Sequence, residues 1–309
     1  IWFKSRLNLG YQKPSSKKLM KKFGNKPYID VHASFTSLIP KNFSPNLTKK
    51  LLNFYIFKLK NNIDLHDKVE FQILFTCYDF MLDERLNELK KFGFSQTEII
   101  EIQTNLSDFT KELLISSPKI ISNCKNDLKK LILKRKNILA QLEKPKISHK
   151  TKVILIKELL DDCKIYGTLS FSIMARLSFI GTILLKSFEK YSNSQSFFDS
   201  FLSTLSTPLT EIQNDFVDYK NKKLSKSEFL KKYGHLRPGT YDITNLTYSE
   251  NEDFLSNITF SKKIKPNKLP FNEKKFSKLL LTKLNIDPSF SITNFISTVI
   301  VEREKFKFE

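Results

Sequence analysis

The chain has 309 residues and 40% hydrophobic content, enough apolar material to bury a core and too much for a disordered segment. Its net charge of +20 raises nucleic-acid binding. However, six arginines leave 46 of the 52 basic residues as lysine, scattered singly and in pairs without an aromatic-interleaved block. This composition describes a solvated surface under A/T-rich codon bias and argues against a nucleic-acid partner.

Where lysine is the default cation, an arginine marks a place that needs planar, two-pronged donor geometry. The six are Arg6, Arg85, Arg135, Arg176, Arg237 and Arg303. Cys77, Cys124 and Cys163 are odd in number and lack metal-ligand spacing, which reads as free thiols in a reducing cytoplasm with no metal site. The chain begins at Ile1 without methionine and stops at Glu309 inside a helical pattern, so an internal piece of a longer protein is expected.

The fold class expected is mainly α, a multi-helix bundle with a small mixed or extended N-terminal part over 1–82 and a helical domain over 83–309. Tyr28 to Ile39 reads as extended. Ser44-Pro45 starts a helix that runs to about Leu59, with a cap followed by proline in the first turn. The stretch His66 to Tyr78 is dense in β-branched and aromatic residues and reads as a strand, a buried helix being the alternative.

Beyond Asp83, segments near 83–92, 96–115, 118–143 and 149–165 repeat apolar residues at three and four, with breaks at Pro118, Pro145 and Ser148-His149. The next, Gly167 to about Lys190, is apolar nearly all round, so a membrane span is its rival reading. Arg176 at its middle would cost about 2.5–3.5 kcal/mol on insertion. A bundle helix directing Arg176 to an interior polar site is the better account, with no membrane partner. Helices near 195–205 and 208–219 follow, and the final pair, 272–285 and about 291–309, is split by Asp287-Pro288.

A capping box, Ser225 with Glu228, launches the helix through Phe229 and Tyr233. It delivers the densest stretch of unusual residues, Tyr233-Gly234-His235-Leu236-Arg237-Pro238-Gly239-Thr240-Tyr241-Asp242-Ile243. Two of the chain's seven glycines and one of its four histidines fall here. Two readings stay open on local grounds. The stretch is a helix C-cap and turn, or a rigid bend presenting His235, Arg237 and Asp242 together.

Near the end, Arg303 and Lys307 lie four apart on one helical face, beside Glu304. No glycine-rich phosphate loop, nucleophile elbow or zinc spacing appears. With His235, Arg237 and Arg176, these residues form a cation set suited to an anionic group such as phosphate.

The stretch Phe229 to Ile243 resembles the Y-G-H-x-x-P-G-x-x-D signature of phosphoenolpyruvate synthase/pyruvate phosphate dikinase-like enzymes, which include rifampicin phosphotransferases. Other stretches agree in order: Pro27 to Val31 with Ser34-Phe35, His66 to Phe71, and Tyr166 to Leu169 with Ala175-Arg176. The closing Arg303-Glu304-x-x-Lys307-Phe308 is similar to that family's R-E-x-x-K-F segment.

The resemblance implies the central, mostly helical acceptor domain of an enzyme whose ATP-grasp and phosphohistidine domains, with ATP and Mg2+, lie outside this chain. ATP would phosphorylate the mobile histidine, which passes phosphate to an anionic or phosphate-accepting small molecule. Arg303, Lys307 and His235 take catalytic roles by this resemblance. Arg237, Arg176 and Asp242 take substrate-binding ones, and no cofactor or metal binds within the chain. His235 lines the receiving site and is not the phosphocarrier. The rifampicin enzymes read H-R-G-P-G-E here; Leu236-Arg237 and Thr240 depart from that and argue against rifampicin as acceptor. The alternative function is a non-catalytic helical binding or scaffold domain.

Overall fold

A computed structural model describes residues 1–16, 18–237, 244–251, 263 and 273–308. The fold is mainly α, as expected, and the one sheet among the described residues is a two-stranded antiparallel hairpin. The chain divides into two compact units. The large one is Ile1–Phe198 with Phe271–Lys307, and the small one is Asp199–Pro270.

The large unit opens with α1 (Trp2–Asn8), then the hairpin of β1 (Met20–Phe23) and β2 (Lys26–Ile29), in which Met20 pairs with Ile29 and Phe23 with Lys26. The extended run expected to Ile39 ends at β2. Asp30 accepts from the Ala33 amide and caps α2 (Val31–Thr36), because a side-chain oxygen at that position satisfies a first-turn N–H. Next comes α3 (Pro45–Lys60), capped by Ser44 with proline in the first turn, as its sequence predicts.

No strand forms over His66 to Tyr78. A 3-10 turn (Ile63–Leu65) and the short α4 (Val69–Gln72) lead into a buried, irregular connection from Ile73 to Phe80. Helices surround it and no neighbouring strand is offered among the described residues, so side chains satisfy its backbone instead. Phe75 N donates to Tyr55 Oη (3.1 Å), Tyr78 N to Thr110 Oγ1 (2.7 Å) and Phe80 N to Ser187 Oγ (3.2 Å). The Leu74 carbonyl accepts from Arg85 Nη2 (3.0 Å) and the Thr76 carbonyl from Tyr11 Oη (3.0 Å). The apolar density was a sign of burial, not of pairing.

After α5 (Leu82–Asn87) and a 3-10 turn to Phe92, α6 runs unbroken from Gln96 to Leu142, opened by a Ser95/Glu98 capping box. Pro118 does not split it. Proline cannot donate to the carbonyl four residues back, and here Ser117 Oγ donates to that Leu114 carbonyl at 2.7 Å. Meanwhile the buried face of Leu106, Phe109, Leu113, Leu114, Ile121 and Cys124 continues across the site, so packing holds the helix together.

The helices expected at 149–165 and from Gly167 are likewise continuous. Ser148 caps α7 (His149–Asp162), and a π-helical turn (Cys163–Thr168) carries it into α8 (Leu169–Ser192). Gly167 permits close approach: a Cβ there would lie 2.9 Å from a Leu131 methyl on α6. His149–Ser192 is long and apolar enough to cross a membrane, but 61% of its most apolar window is buried within the protein, packed against α1 and α6. The large unit closes with α12 (Glu273–Leu284), which packs on α6, and α13 (Ile292–Phe308).

Helix α9 (Phe197–Ser203) leads to the small unit's helix pair. These are α10 (Pro208–Lys220), with a Thr207 capping box and proline in its first turn, and α11 (Lys226–Tyr233), with the predicted Ser225/Glu228 box. Phe216, Phe229 and Tyr233 form their shared core, flanked by Ile212, Tyr219, Leu224, Leu230 and Leu236.

Candidate functional site

Arg176 is fully buried on α8. Its Nε donates to Tyr11 Oη at 2.9 Å and its Nη1 to Glu70 Oε2 at 2.5 Å. Tyr11 in turn donates to the Thr76 carbonyl and packs on Phe109, so the chain Arg176–Tyr11–Thr76 ties α8 to the buried 73–80 connection. Tyr11 enters this position from the turn after α1, where its backbone pairs with that of Pro40.

A second arginine, Arg6 on α1, is buried beside this group. Its Nη1 donates to the Ser172 carbonyl (3.0 Å), with the Ser5 hydroxyl at 3.3 Å, and its guanidinium lies 4.0 Å over the Trp2 ring. Ser172 stands one helical turn before Arg176, so both guanidiniums meet one face of α8.

Burial dominates the electrostatics. It pushes the Tyr11 hydroxyl up to about 12 against the opposing Arg176 charge, and the Cys77 thiol up to about 11. Burial also lowers Arg6 to about 10, Glu70 opposing the shift and Arg176 adding to it. For Arg176, burial disfavours the charge, but Tyr11 and Glu70 outweigh it and hold the group protonated. The result is a fixed, desolvated patch of two cations and one carboxylate.

On α13, Arg303 is partly buried and bonded by Nε and Nη2 to Glu304, while Lys307 is exposed. No bond joins Arg303 or Lys307 to the Arg176 group among the described residues. His235 and Arg237 belong to the small unit, just past α11; His235 is exposed and Arg237 half-buried.

Around them the 244–251 segment folds back. Tyr248 N donates to the Leu236 carbonyl (2.8 Å) and Ser249 N to the Gly234 carbonyl (3.0 Å). Glu250 has its carboxyl held below the usual range by the Thr247 backbone and hydroxyl, with the Arg237 charge contributing. Gly234 has ordinary right-handed angles. Its need for glycine is spatial, since a Cβ would run into the Ser249 hydroxyl and the Leu230 carbonyl. Pro238 to Ile243, including Asp242, lie outside the described residues.

Sequence reasoning singled out Arg176 and missed its partners Arg6 and Tyr11. The signal for Arg6 was available, as one of six arginines in a lysine-rich chain. Glu70 lies within the His66 to Phe71 stretch, whose sequence alone does not point to a buried arginine partner. A cavity of about 640 Å³ between Ile115–Ile121 and Ile286–Thr298 contains none of the expected site residues. Among comparisons with known proteins, no family model, curated protein or solved structure matches this chain.

Proposed function

We propose that the chain is the central acceptor-binding domain of an ATP-dependent phosphotransferase that works through a swivelling phosphohistidine domain, of the phosphoenolpyruvate synthase/pyruvate phosphate dikinase-like kind. The observation that carries the reading is the 2.5 Å contact of Glu70 with Arg176. These residues sit 106 positions apart in two of the ordered stretches that resemble the family, and they meet in one buried polar group. A shared interior contact is a physical reason for two distant motifs to occur in one chain.

In the intact protein, ATP and Mg2+ act outside this domain. The phosphorus–nitrogen bond to the mobile histidine breaks as an acceptor oxygen forms the new phosphorus–oxygen bond, and the acceptor's proton leaves to solvent or a base. Fixed cations favour the charge that develops on the phosphoryl oxygens. By the family resemblance Arg303 and Lys307 take that task, and His235, Arg237, Arg176 and Asp242 take roles toward the acceptor. The chain alone carries no ATP-dependent activity on this reading.

The test is Arg303→Ala in the full-length protein. Transfer to acceptor is expected to be abolished while phosphorylation of the mobile histidine persists; loss of both overturns the assigned role. A scaffold reading draws on one observation, that Arg303 is already neutralised by Glu304 with Lys307 facing outward. Unchanged transfer in Arg303→Ala would favour it.

A further inference from the structure

Two charged donors in the interior are left over. Arg6 Nε and Arg176 Nη2 are both fully buried and have no hydrogen-bond partner among the described residues. A buried donor without a partner costs about 1–3 kcal/mol, and more on a charged group. The charge count is also unbalanced. Among the described residues the two guanidiniums share Glu70 as their one carboxylate, and their mutual repulsion operates where water cannot screen it. Replacing a cation by an apolar residue would remove both costs, so a chain keeping two has a use for them.

We propose that Arg6 and Arg176 together bind one small oxyanion, the phosphoryl or carboxylate group of the acceptor molecule, at the face of α8 between Ser172 and Arg176. An oxyanion supplies the missing acceptor atoms and the missing negative charge at once. A neutral molecule supplies only the first. Guanidinium suits the task because its fork matches two oxygens of one anion. The group sits one layer below the surface: Ser172, Ala175 and Phe179 on the same stretch of α8 keep partial exposure, as does the Glu70 side chain at 12%. Phe179 packs on Phe71, whose exposed ring lies next to Glu70 in sequence, so this aromatic pair flanks the approach. Glu70 sets the affinity, holding the Arg176 guanidinium while competing with the anion for it.

This inference rests on the acceptor-domain reading for what carries the anion, and on burial and charge for the site itself. It is tested by thermal unfolding of the 309-residue chain in inorganic phosphate, sodium acetate and sodium chloride at equal ionic strength. Phosphate or acetate is expected to raise the midpoint by about 5 °C over chloride near saturation; which of the two does so assigns the class as phosphoryl or carboxylate. Arg6→Met and Arg176→Met should lose that rise whatever their own midpoints.

Arg6→Lys keeps the charge without the fork and should weaken binding about tenfold or more. Glu70→Gln should tighten binding about tenfold, although it removes an ion pair. A merely structural cluster has no reason to respond in that direction. No anion-specific rise in the unsubstituted chain, a rise that survives Arg6→Met, or weaker binding in Glu70→Gln overturns the site. Anion binding without phosphotransfer by the full-length protein leaves the site standing and overturns only the transferase reading. Transfer without an anion-specific rise does the reverse.

Discussion

Replacing Tyr11 by phenylalanine isolates the polar link between α8 and the 73–80 connection. The ring keeps its volume and its packing on Phe109, centroids 4.8 Å apart, so no cavity opens. Two bonds disappear: Arg176 Nε loses its acceptor, and the Thr76 carbonyl, itself buried, loses its donor. Each stranded group costs about 1–3 kcal/mol, the charged one at the upper end. The lost hydroxyl no longer has to be desolvated, which returns part of that sum. The net expectation is about 3 kcal/mol of destabilisation.

The assay is urea unfolding, with the midpoint falling and the slope unchanged. Tyr55→Phe is the internal standard. The Tyr55 hydroxyl accepts from one neutral amide, Phe75 N at 3.1 Å, so its removal should cost about 1–2 kcal/mol. A Tyr11→Phe loss below about 1 kcal/mol, or one no larger than that of Tyr55→Phe, would refute the idea that this hydroxyl bridges two otherwise unsatisfied groups.

Alkaline titration should destabilise the chain between pH 9 and 12. The Tyr11 hydroxyl moves from 10.0 to about 12 and the Cys77 thiol from 9.0 to about 11, both through burial. Because each folded value is raised, the stability is fully present below the unfolded value and is lost as pH climbs through the folded one. Two pH units correspond to about 2.7 kcal/mol for either group alone. Denaturant midpoints from pH 8 to 12 should therefore fall, and Cys77→Ala should flatten the portion between 9 and 11; an unchanged profile counts against Cys77 as its source. In the small unit, Gly234→Ala should cost about 1–3 kcal/mol by overpacking and speed hydrogen exchange across α10 and α11. Adding Ser249→Ala should restore part of the loss only, because the Leu230 carbonyl cannot move aside as a hydroxyl does. Full restoration would show that the backbone contact is harmless.

Local signals were legible where the chemistry is local. Ser44-Pro45 and the Ser225/Glu228 box each place a side-chain oxygen or a fixed φ within one turn of the helix they start, and each appears where the sequence predicts it. Pro118 and the 73–80 connection were misread because their solutions come from elsewhere. The carbonyl that Pro118 abandons is served by Ser117, and the helix is held by a buried face extending in both directions. In the 73–80 segment, the donors and acceptors that replace a neighbouring strand are Tyr11, Tyr55, Arg85, Thr110 and Ser187. No pattern in the segment itself encodes partners drawn from four other helices and a turn. A glycine at a helix C-cap or rigid bend suggests a need for unusual angles, whereas the ordinary angles and crowded Cβ position of Gly234 make it a glycine of space.

The division between arginine and lysine went furthest, and its physical basis explains why. Among the described residues the buried cations are Arg6 and Arg176, with no lysine beside them. A third, Arg85, reaches from a partly exposed position to the buried Asp79 carboxylate and the Leu74 carbonyl. Guanidinium is more weakly hydrated than ammonium and spreads its charge over several donors, so it enters an interior that excludes lysine. Codon bias toward lysine can therefore inflate the net charge of the surface while leaving the interior cations as arginine. The charge of +20 and the paired guanidiniums of α1 and α8 have separate origins. The first sets how the chain interacts with its surroundings at large, and the second what one buried site can recognise.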